Sequence, residues 1–277
     1  MFGKMGKLPP KGDVKTLGDF ANHKLGKLPP KTDPTTLNLA KYFTPILPAP
    51  PSRINWSKKA AYHDWPWFLN NQLADCTISS SAHMLMVWTA NVMGTPTILT
   101  DAQVIKAYAD VSGYNPEFGW NDNGAYLFDV MNYWRGVGIA GHKITNYMSV
   151  NTHNRTHMKL AMYYFGAINL GLNLPWSATE QTGYNLIWDV PPTGAQGDGE
   201  PGSWGGHSVA MVSYDTTGVL CATWGQQQFM TWRFLETYAD EAYVALSPDW
   251  LCPICHRCPI GGINMQNLID DLNAVAN

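Results

Sequence analysis

The sequence predicts an α+β protein, with a helical N-terminal lobe, an antiparallel β-sheet C-terminal lobe and an extended proline-rich arm in front of both. Apolar residues recur at helical spacing from residue 77 to residue 134. From residue 168 onward they alternate in short runs, which is the spacing of strands. The first fifty residues follow neither pattern. We therefore divide the chain into an arm, residues 1–50, and a domain, residues 51–277, with a cleft expected between the two lobes.

The composition argues against several classes of protein. Hydrophobic residues make up 45% of the 277 residues and aromatic residues 12%, which is too rich for a disordered chain. Charged residues make up 14%, and a net charge of -3 argues against a nucleic-acid-binding surface. There is no run of eighteen apolar residues, and Met1–Pro10 lacks the apolar segment of a signal peptide. We expect a cytoplasmic protein with no membrane or nucleic-acid partner.

The arm contains a duplicated motif. Gly6–Asp13 reads GKLPPKGD, and Gly26–Asp33 reads GKLPPKTD twenty residues later; a Thr-Leu pair follows each copy. The paired prolines keep the backbone extended. We interpret this segment as an arm that wraps the domain or docks on a protein partner, and a poorly ordered tail is the alternative.

The helices of the first lobe follow from caps and apolar spacing. A core helix is expected over residues 77–90. Thr100 and Gln103 have the spacing of a capping box at the start of a second helix. A glycine-rich loop, Gly119–Gly124, precedes a third helix that buries residues 127, 130, 131 and 134.

The second lobe begins with a short helix over residues 158–165. Strands are expected over residues 168–174, 208–214, 219–224, 229–233 and 243–246. Residues 191–206, rich in glycine and proline, form a long loop between the first two. A helix over residues 265–275 closes the chain.

A cysteine and a histidine are the candidate reactive pair. Cys76 follows a polar loop and begins a helix, where the positive end of the helix dipole favours the thiolate. His207 opens an apolar strand, which makes it the candidate base. His83 lies too far along the helix from Cys76 for a direct hydrogen bond and is expected in the core or an interface. Cys221 is expected to be buried and inert.

Three cysteines near the C-terminus have ambiguous chemistry. Cys252, Cys255 and Cys258, with His256, are weak candidates for a zinc site, but a second ligand pair across a longer loop is missing. A reduced or locally disulfide-bonded loop is the favoured alternative. We therefore expect no metal and no cofactor.

The residues around Cys76 and His207 resemble the papain-like cysteine peptidases over roughly residues 62–247. Asn70 has the spacing of that family's oxyanion-hole glutamine, and Gln72 is the other candidate. The loop that contains Asn121, Asn123 and Gly124 resembles the family's substrate-binding glycine loop. Gly206–Tyr214 resembles its histidine strand, and Thr223-Trp224-Gly225 resembles its Ser-Trp-Gly motif, in which we expect Trp224 to cover the histidine.

The sequence also departs from that family. The asparagine that orients the histidine would fall on Ala222, and neither Ala222 nor the adjacent Thr223 orients an imidazole as a carboxamide does. In that family a tryptophan usually follows the nucleophile, and this sequence has Thr77 at that position. Asp75, directly before Cys76, opposes thiolate formation by its charge.

The resemblance implies a thiol hydrolase, a cysteine peptidase or amidase. In this hypothesis Cys76 attacks a peptide or protein substrate, His207 transfers the proton, and Asn70 or Gln72 binds the oxyanion. The alternative is a catalytically weak or inactive protein of the same fold that serves a larger assembly, such as a phage virion, with the arm binding the partner. The missing asparagine and the duplicated arm motif favour this alternative.

Overall fold

The helix that begins at Cys76 forms the centre of the fold. A computed structural model describes residues 20–42, 49–60 and 64–250. In the first half lie α1 (Ser57–Ala60), α2 (Cys76–Val92), α3 (Asp101–Ser112) and α4 (Leu127–Gly136). Every residue of α2 from Cys76 to Ala90 is buried. The apolar spacing predicts one buried face, but all faces of the helix are buried over these residues. The reason is that α2 packs against the sheet, α1 and the other helices of its lobe.

The helix ends follow local chemistry. Thr100 and Gln103 form the predicted capping box at the start of α3, and Gly113 ends the helix in the left-handed conformation. The helix expected over residues 158–165 begins earlier, as α5 (Arg155–Phe165), because the Asn154 side chain accepts a hydrogen bond from the N–H of His157.

The second half forms one antiparallel sheet. Its strands are β2 (Asn146–Ser149), β3 (Ile168–Leu174), β4 (Gly205–Tyr214), β5 (Gly218–Thr223), β6 (Gln226–Thr231) and β7 (Ala239–Leu246). They lie in the order β2-β7-β3-β4-β5-β6, and the short β1 (Ile54–Asn55) pairs with the end of β4. The strand β3 lies inside the sheet between β7 and β4, so both of its faces are largely buried.

Two helices of this lobe were not expected from the sequence. They are α6 (Ser177–Gly183) and α7 (Trp232–Tyr238). The strand expected over residues 229–233 ends at Thr231, because the Thr231 side chain accepts from the N–H of Phe234 and caps α7. The helix expected over residues 265–275 lies outside the described residues.

The described part of the arm lies against the domain. Phe20 and Leu39 are buried, and the N–H of Ser149 in β2 donates to the carbonyl oxygen of Leu37 at 2.8 Å. A short 3-10 helix, Leu39–Tyr42, follows. Among the described residues, no helix is both long and apolar enough to cross a membrane.

Candidate active site

Helix α2 and strand β4 bring the sulfur of Cys76 against the backbone of Ser208, the residue that follows His207. Cys76 is the first residue of α2, and its side chain is fully buried. Hydrogen bonds from the backbones of Ser208 and Gly26 reach its sulfur. Since Ser208 directly follows His207 in β4, the thiol lies against the residue next to the candidate base.

A buried polar network fixes the helix against the strand. Asn169 in β3 accepts hydrogen bonds from Ser80 of α2 at 2.7 Å and from Ser208 of β4 at 2.8 Å. Its amide donates to Ser81 at 2.9 Å. Ser80 lies one helical turn after Cys76. The carboxamide of Asn169 therefore connects Ser80, one turn after Cys76, with Ser208, directly after His207.

Thr223 and Trp224 hold the ring of His207. The Nε2 atom lies 2.7 Å from the hydroxyl oxygen of Thr223. The indole of Trp224 stacks on the imidazole, with ring centroids 4.1 Å apart and an angle of 18° between the planes. The sequence predicts that Thr223 does not orient the histidine as a carboxamide does, but its hydroxyl lies within hydrogen-bond distance of one ring nitrogen. If Nε2–H donates to Thr223, Nδ1 is left as the basic nitrogen.

The turn that carries Trp224 is conformationally unusual. Trp224 and Gly225 form the two-residue connection between β5 and β6, with φ of 45° and 68°. Tight hairpins require such positive values, but a bulky residue adopts them at a cost of about 1–2 kcal/mol. Strain of this kind is typical of functional sites.

Of the two candidate oxyanion residues, one is engaged by other partners in this structure and the other is exposed. The Asn70 amide donates to Asp75 Oδ1 at 2.9 Å and to the carbonyl oxygen of Leu73 at 3.4 Å. Both of its N–H bonds are thus used within the loop, so this geometry does not support the expected oxyanion contact. Gln72 is exposed to solvent.

The arm occupies the cleft beside Cys76. The N–H of Lys27 donates to the carbonyl oxygen of Gly206 at 3.0 Å, next to His207. On the opposite side, Ala125 donates to the carbonyl oxygen of Gly26 at 2.8 Å and accepts from the N–H of Leu28 at 3.1 Å. The arm therefore lies in an extended conformation between the helical lobe and β4, with Gly26 over the sulfur.

Glycines allow this close approach. A Cβ atom on Gly26 would lie 1.8 Å from the carbonyl oxygen of Ala74. A Cβ on Gly124 would lie 2.1 Å from the carbonyl oxygen of Gly26, and one on Gly206 would lie 2.1 Å from that of Lys27. Each distance is far inside van der Waals contact, so the arm and both sides of the cleft need glycine at these points.

The glycine-rich loop contributes less directly than expected. Gly124 contacts the arm backbone, but the hydrogen bonds come from Ala125. Asn121 and Asn123 are exposed: the Asn121 side chain donates to Gly113, and the N–H of Asn123 donates to the carbonyl oxygen of Asn121. These two asparagines shape the loop.

Lysines of the arm pair with acids along the cleft. Lys27 is completely buried, and its Nζ lies 2.8 Å from Asp240 and 3.2 Å from Glu241 at the start of β7. Lys24 pairs with Asp122, which also holds the N–H of Ala74. In addition, Lys31 pairs with Asp129 in α4 and lies over the ring of Tyr126.

Burial keeps the candidate pair uncharged in this state. Loss of solvent raises the pKa of Cys76 to about 11, against the opposing hydrogen bonds from Ser208 and Gly26. Burial, and then the nearby His23 of the arm, lower the pKa of His207 to about 3. The expectation that the helix end favours the thiolate is thus wrong for the arm-bound protein, because burial outweighs the helix dipole. Burial also raises the pKa of Asp75 to about 8, so its carboxyl is largely protonated at neutral pH.

The remaining candidates fall into two groups. His83 is buried, with Nε2 2.9 Å from the carbonyl oxygen of Pro66, and Cys221 is a buried free thiol, as the structural interpretations predicted. The weak metal candidates Cys252, Cys255, Cys258 and His256 lie outside the described residues. Within the described ranges, no group of three or more His, Cys, Asp or Glu side chains could hold a metal ion.

Sequence reasoning missed part of the site. Asp240 and Glu241 were not singled out, although two adjacent acids at the start of a strand that becomes apolar were a visible signal. The glycine of the duplicated motif was a visible signal that the arm occupies the cleft. No sequence signal marked Ala125, because it contacts the arm through its backbone.

Comparison with known proteins supports the fold. Neither a family model nor a curated protein sequence matches the chain. Among solved structures, xylellain, a cysteine protease from Xylella fastidiosa, has a TM-score of 0.61 and 14% identity; 81% of this chain and 96% of that one are covered. Procathepsin B S9 from Trypanosoma congolense has a TM-score of 0.56 and 12% identity, covering 84% and 89%. A digestive procathepsin L2 from Tenebrio molitor has a TM-score of 0.56 and 10% identity, covering 83% and 80%. The chain has a papain-like fold.

Proposed function

We propose that this protein is a papain-like thiol hydrolase that acts on peptide or amide bonds and is held inactive by its own arm. One observation carries the proposal: an extended polypeptide crosses the Cys76 sulfur and is hydrogen-bonded to the carbonyl oxygen before His207 and to Ala125. A groove that binds a backbone on both sides of a thiol suits the binding of a peptide substrate.

The chemistry would proceed through an acyl-enzyme. The thiol proton passes to Nδ1 of His207, and the resulting thiolate then attacks the substrate carbonyl carbon. The N–H of Cys76 lies in the first helical turn, where it has no acceptor within the helix, and would donate to the oxyanion. Asn70 could add a second donor only by releasing Asp75. The leaving amine takes the proton from His207, and water activated by His207 then hydrolyses the thioester.

Arm binding accounts for the inactive charge state. With the arm in place, the thiol and the imidazole are both buried and neutral. When the arm leaves, water reaches both groups, which lowers the pKa of Cys76 and raises that of His207. The ion pair that attacks the substrate forms under those conditions. Arm release is therefore the activating step.

The second candidate is a binding protein that uses the same groove without cleavage. The engaged amide of Asn70 and the neighbouring Asp75 favour it, because neither helps a charged intermediate at Cys76. An arm that enters the groove of another molecule would then be the assembly contact.

Hydrolysis by an arm-released chain separates the two functions. The full chain carrying Lys7→Ala/Lys27→Ala, which changes the lysine in both copies of the arm motif, is incubated with an unfolded protein substrate, and the products are identified by mass spectrometry. We expect cleavage by Lys7→Ala/Lys27→Ala and none when Cys76→Ala is added. Binding of the substrate by both chains without cleavage would contradict the hydrolase and favour the binding protein.

A further inference from the structure

The groove recognises side chains of the arm as well as its backbone. Position 26 must be glycine, because a Cβ atom there would lie 1.8 Å from the carbonyl oxygen of Ala74. Position 27 must carry a cation, because its side chain is fully buried between Asp240 and Glu241. Positions 24 and 31 bring lysines to Asp122 and Asp129. The recognised pattern is therefore Lys-x-Gly-Lys followed, after three residues, by Lys.

The same pattern occurs twenty residues earlier. Residues 4–17 and residues 24–37 are identical at ten of fourteen positions. The ten include every position of the recognised pattern, the Leu-Pro-Pro between its lysines, and the Asp, Thr and Leu beyond them. The four differences fall where the bound copy tolerates change. Leu25 corresponds to Met5, which is also apolar, and the other three positions of the bound copy, Thr32, Pro34 and Thr35, are exposed to solvent.

We propose that residues 4–17 are a second ligand of this groove, which takes the place of residues 24–37 on the same chain when that segment leaves. Gly6 would then lie over Cys76, and Lys7 would enter the pocket of Asp240 and Glu241. The exchange concerns the groove of the proposed function but needs no catalysis. Two segments of the chain could then occupy the cleft in turn. Release of residues 24–37 alone would leave the thiol covered by residues 4–17.

Chain geometry allows the exchange within one molecule. Leu17 would take the position of Leu37, and residues 18–37 would form a loop whose ends are adjacent. Closing a loop of that length costs little more than closing one half as long. Tethering also gives the first copy a high effective concentration at its own groove, which favours it over a copy from another molecule.

The order of occupancy follows from contacts that the copies do not share. In the bound arm, the buried Phe20 stacks on His23, and His23 packs edge-on against Trp224, with ring centroids 5.4 Å apart. The first copy has Gly3 in place of His23, and glycine has no ring to pack against Trp224. Residues 24–37 therefore bind more tightly and are the resting occupant.

Four full-length chains test the exchange: wild type, Gly6→Val, Gly26→Val and Gly6→Val/Gly26→Val. Valine at either position blocks entry of that copy. The rate of Cys76 alkylation by iodoacetamide, read by mass spectrometry, measures whether the groove is covered. Alkylation of Cys221, buried in β5, reports unfolding in the same sample. Amide hydrogen exchange at Ala125 reports whether a carbonyl oxygen still accepts from its N–H.

We expect Cys76 in Gly26→Val to react within about threefold of the wild-type rate, and in the double variant at least tenfold faster, with slow Cys221 alkylation throughout. Ala125 should stay protected in Gly26→Val and lose protection in the double variant. Equal rates in Gly26→Val and the double variant would overturn the proposal, as would a double variant as slow as wild type. Protection of Gly26→Val that is found only in dimers or larger species, by size-exclusion chromatography, would overturn exchange within one chain.

Discussion

The N–H of Lys27 donates to the carbonyl oxygen of Gly206 at 3.0 Å, so the arm is bonded to the residue immediately before His207. The same lysine buries its ammonium between Asp240 and Glu241. Backbone and side chain of one residue thus connect the arm to both the candidate base and β7. Lys27 is therefore the point at which arm binding is most sensitive to substitution.

Lys27→Ala, combined with Lys7→Ala so that the first copy of the motif cannot take its place, should open the groove. Removing one partner of a buried ion pair leaves the other charges uncompensated, which costs about 3–5 kcal/mol. In Lys7→Ala/Lys27→Ala we expect Cys76 to be alkylated at least tenfold faster than in the wild type, by mass spectrometry of the modified peptide. The matched control is Lys106→Ala, which removes an exposed lysine paired with Asp110 on α3 and should leave the rate unchanged. Similar rates in both variants would remove Lys27 from its role in holding the arm.

Thr223 should act by positioning His207. In the Lys7→Ala/Lys27→Ala background, Thr223→Val removes the hydroxyl that lies 2.7 Å from Nε2, and we expect kcat to fall about tenfold or more with little change in KM. Thr223→Asn restores an acceptor and should recover much of the loss. The pH profile of kcat/KM should shift in Thr223→Val and return in Thr223→Asn. A loss that Asn does not recover, with an unshifted profile, would indicate a purely structural role.

Asn169 should contribute strongly to stability because it connects α2 with β4. Asn169→Ala leaves the hydroxyls of Ser80, Ser81 and Ser208 without their central partner in a buried site. We expect a loss of about 2–4 kcal/mol in the free energy of unfolding, measured by urea denaturation. Asn173→Ala, on the same strand but only partly buried, is the control and should cost less than about 1 kcal/mol. Equal losses would contradict the role assigned to the network.

Asp75 should make the protein less stable as the pH rises. Burial raises its pKa in the folded state to about 8, whereas the unfolded chain releases this proton near the ordinary value of 3.8. Its stabilising contribution is complete below the lower value and is lost as the pH rises through the higher one. The histidines do not interfere above pH 7, because burial lowers the pKa of His83 to about 4 and that of His207 to about 3.

Asp75→Asn removes this titration and keeps an acceptor for Asn70. Between pH 7 and pH 8.5 we expect the wild type to lose about 1–2 kcal/mol of unfolding free energy relative to Asp75→Asn. Urea denaturation of both chains at the two pH values measures the difference. Parallel behaviour of the two chains would show that Asp75 is already charged in the folded protein.

Regular elements with local signals were predictable from the sequence. The Thr100–Gln103 capping box lies where expected, and β3 spans the expected residues 168–174. Helices α6 and α7 were missed because their seven residues each are too short for an apolar period, and α7 was partly taken for a strand. The apolar alternation predicted β3 but not the buried position of Asn169, because the partners of its side chain come from distant elements.

The site was predictable where one residue type determines the chemistry. Cys76 and His207 stood out as a thiol at a helix end and an imidazole at a strand start. The charge state did not follow, because the arm residues that cover both groups, residues 23–28, are more than forty residues away in sequence from the nearer of them. Thr223 was set aside because only a carboxamide was considered as the orienting group.

The pH dependence of Cys76 alkylation tests most directly whether Cys76 and His207 form a reactive pair. The rate is measured in two full-length chains, Lys7→Ala/Lys27→Ala and Lys7→Ala/Lys27→Ala/His207→Ala. We predict that Lys7→Ala/Lys27→Ala shows a thiolate inflection well below the ordinary cysteine value of about 8.5, and that the His207 substitution returns the inflection to that value or above. Two identical profiles would contradict the pair and, with it, the proposed hydrolase.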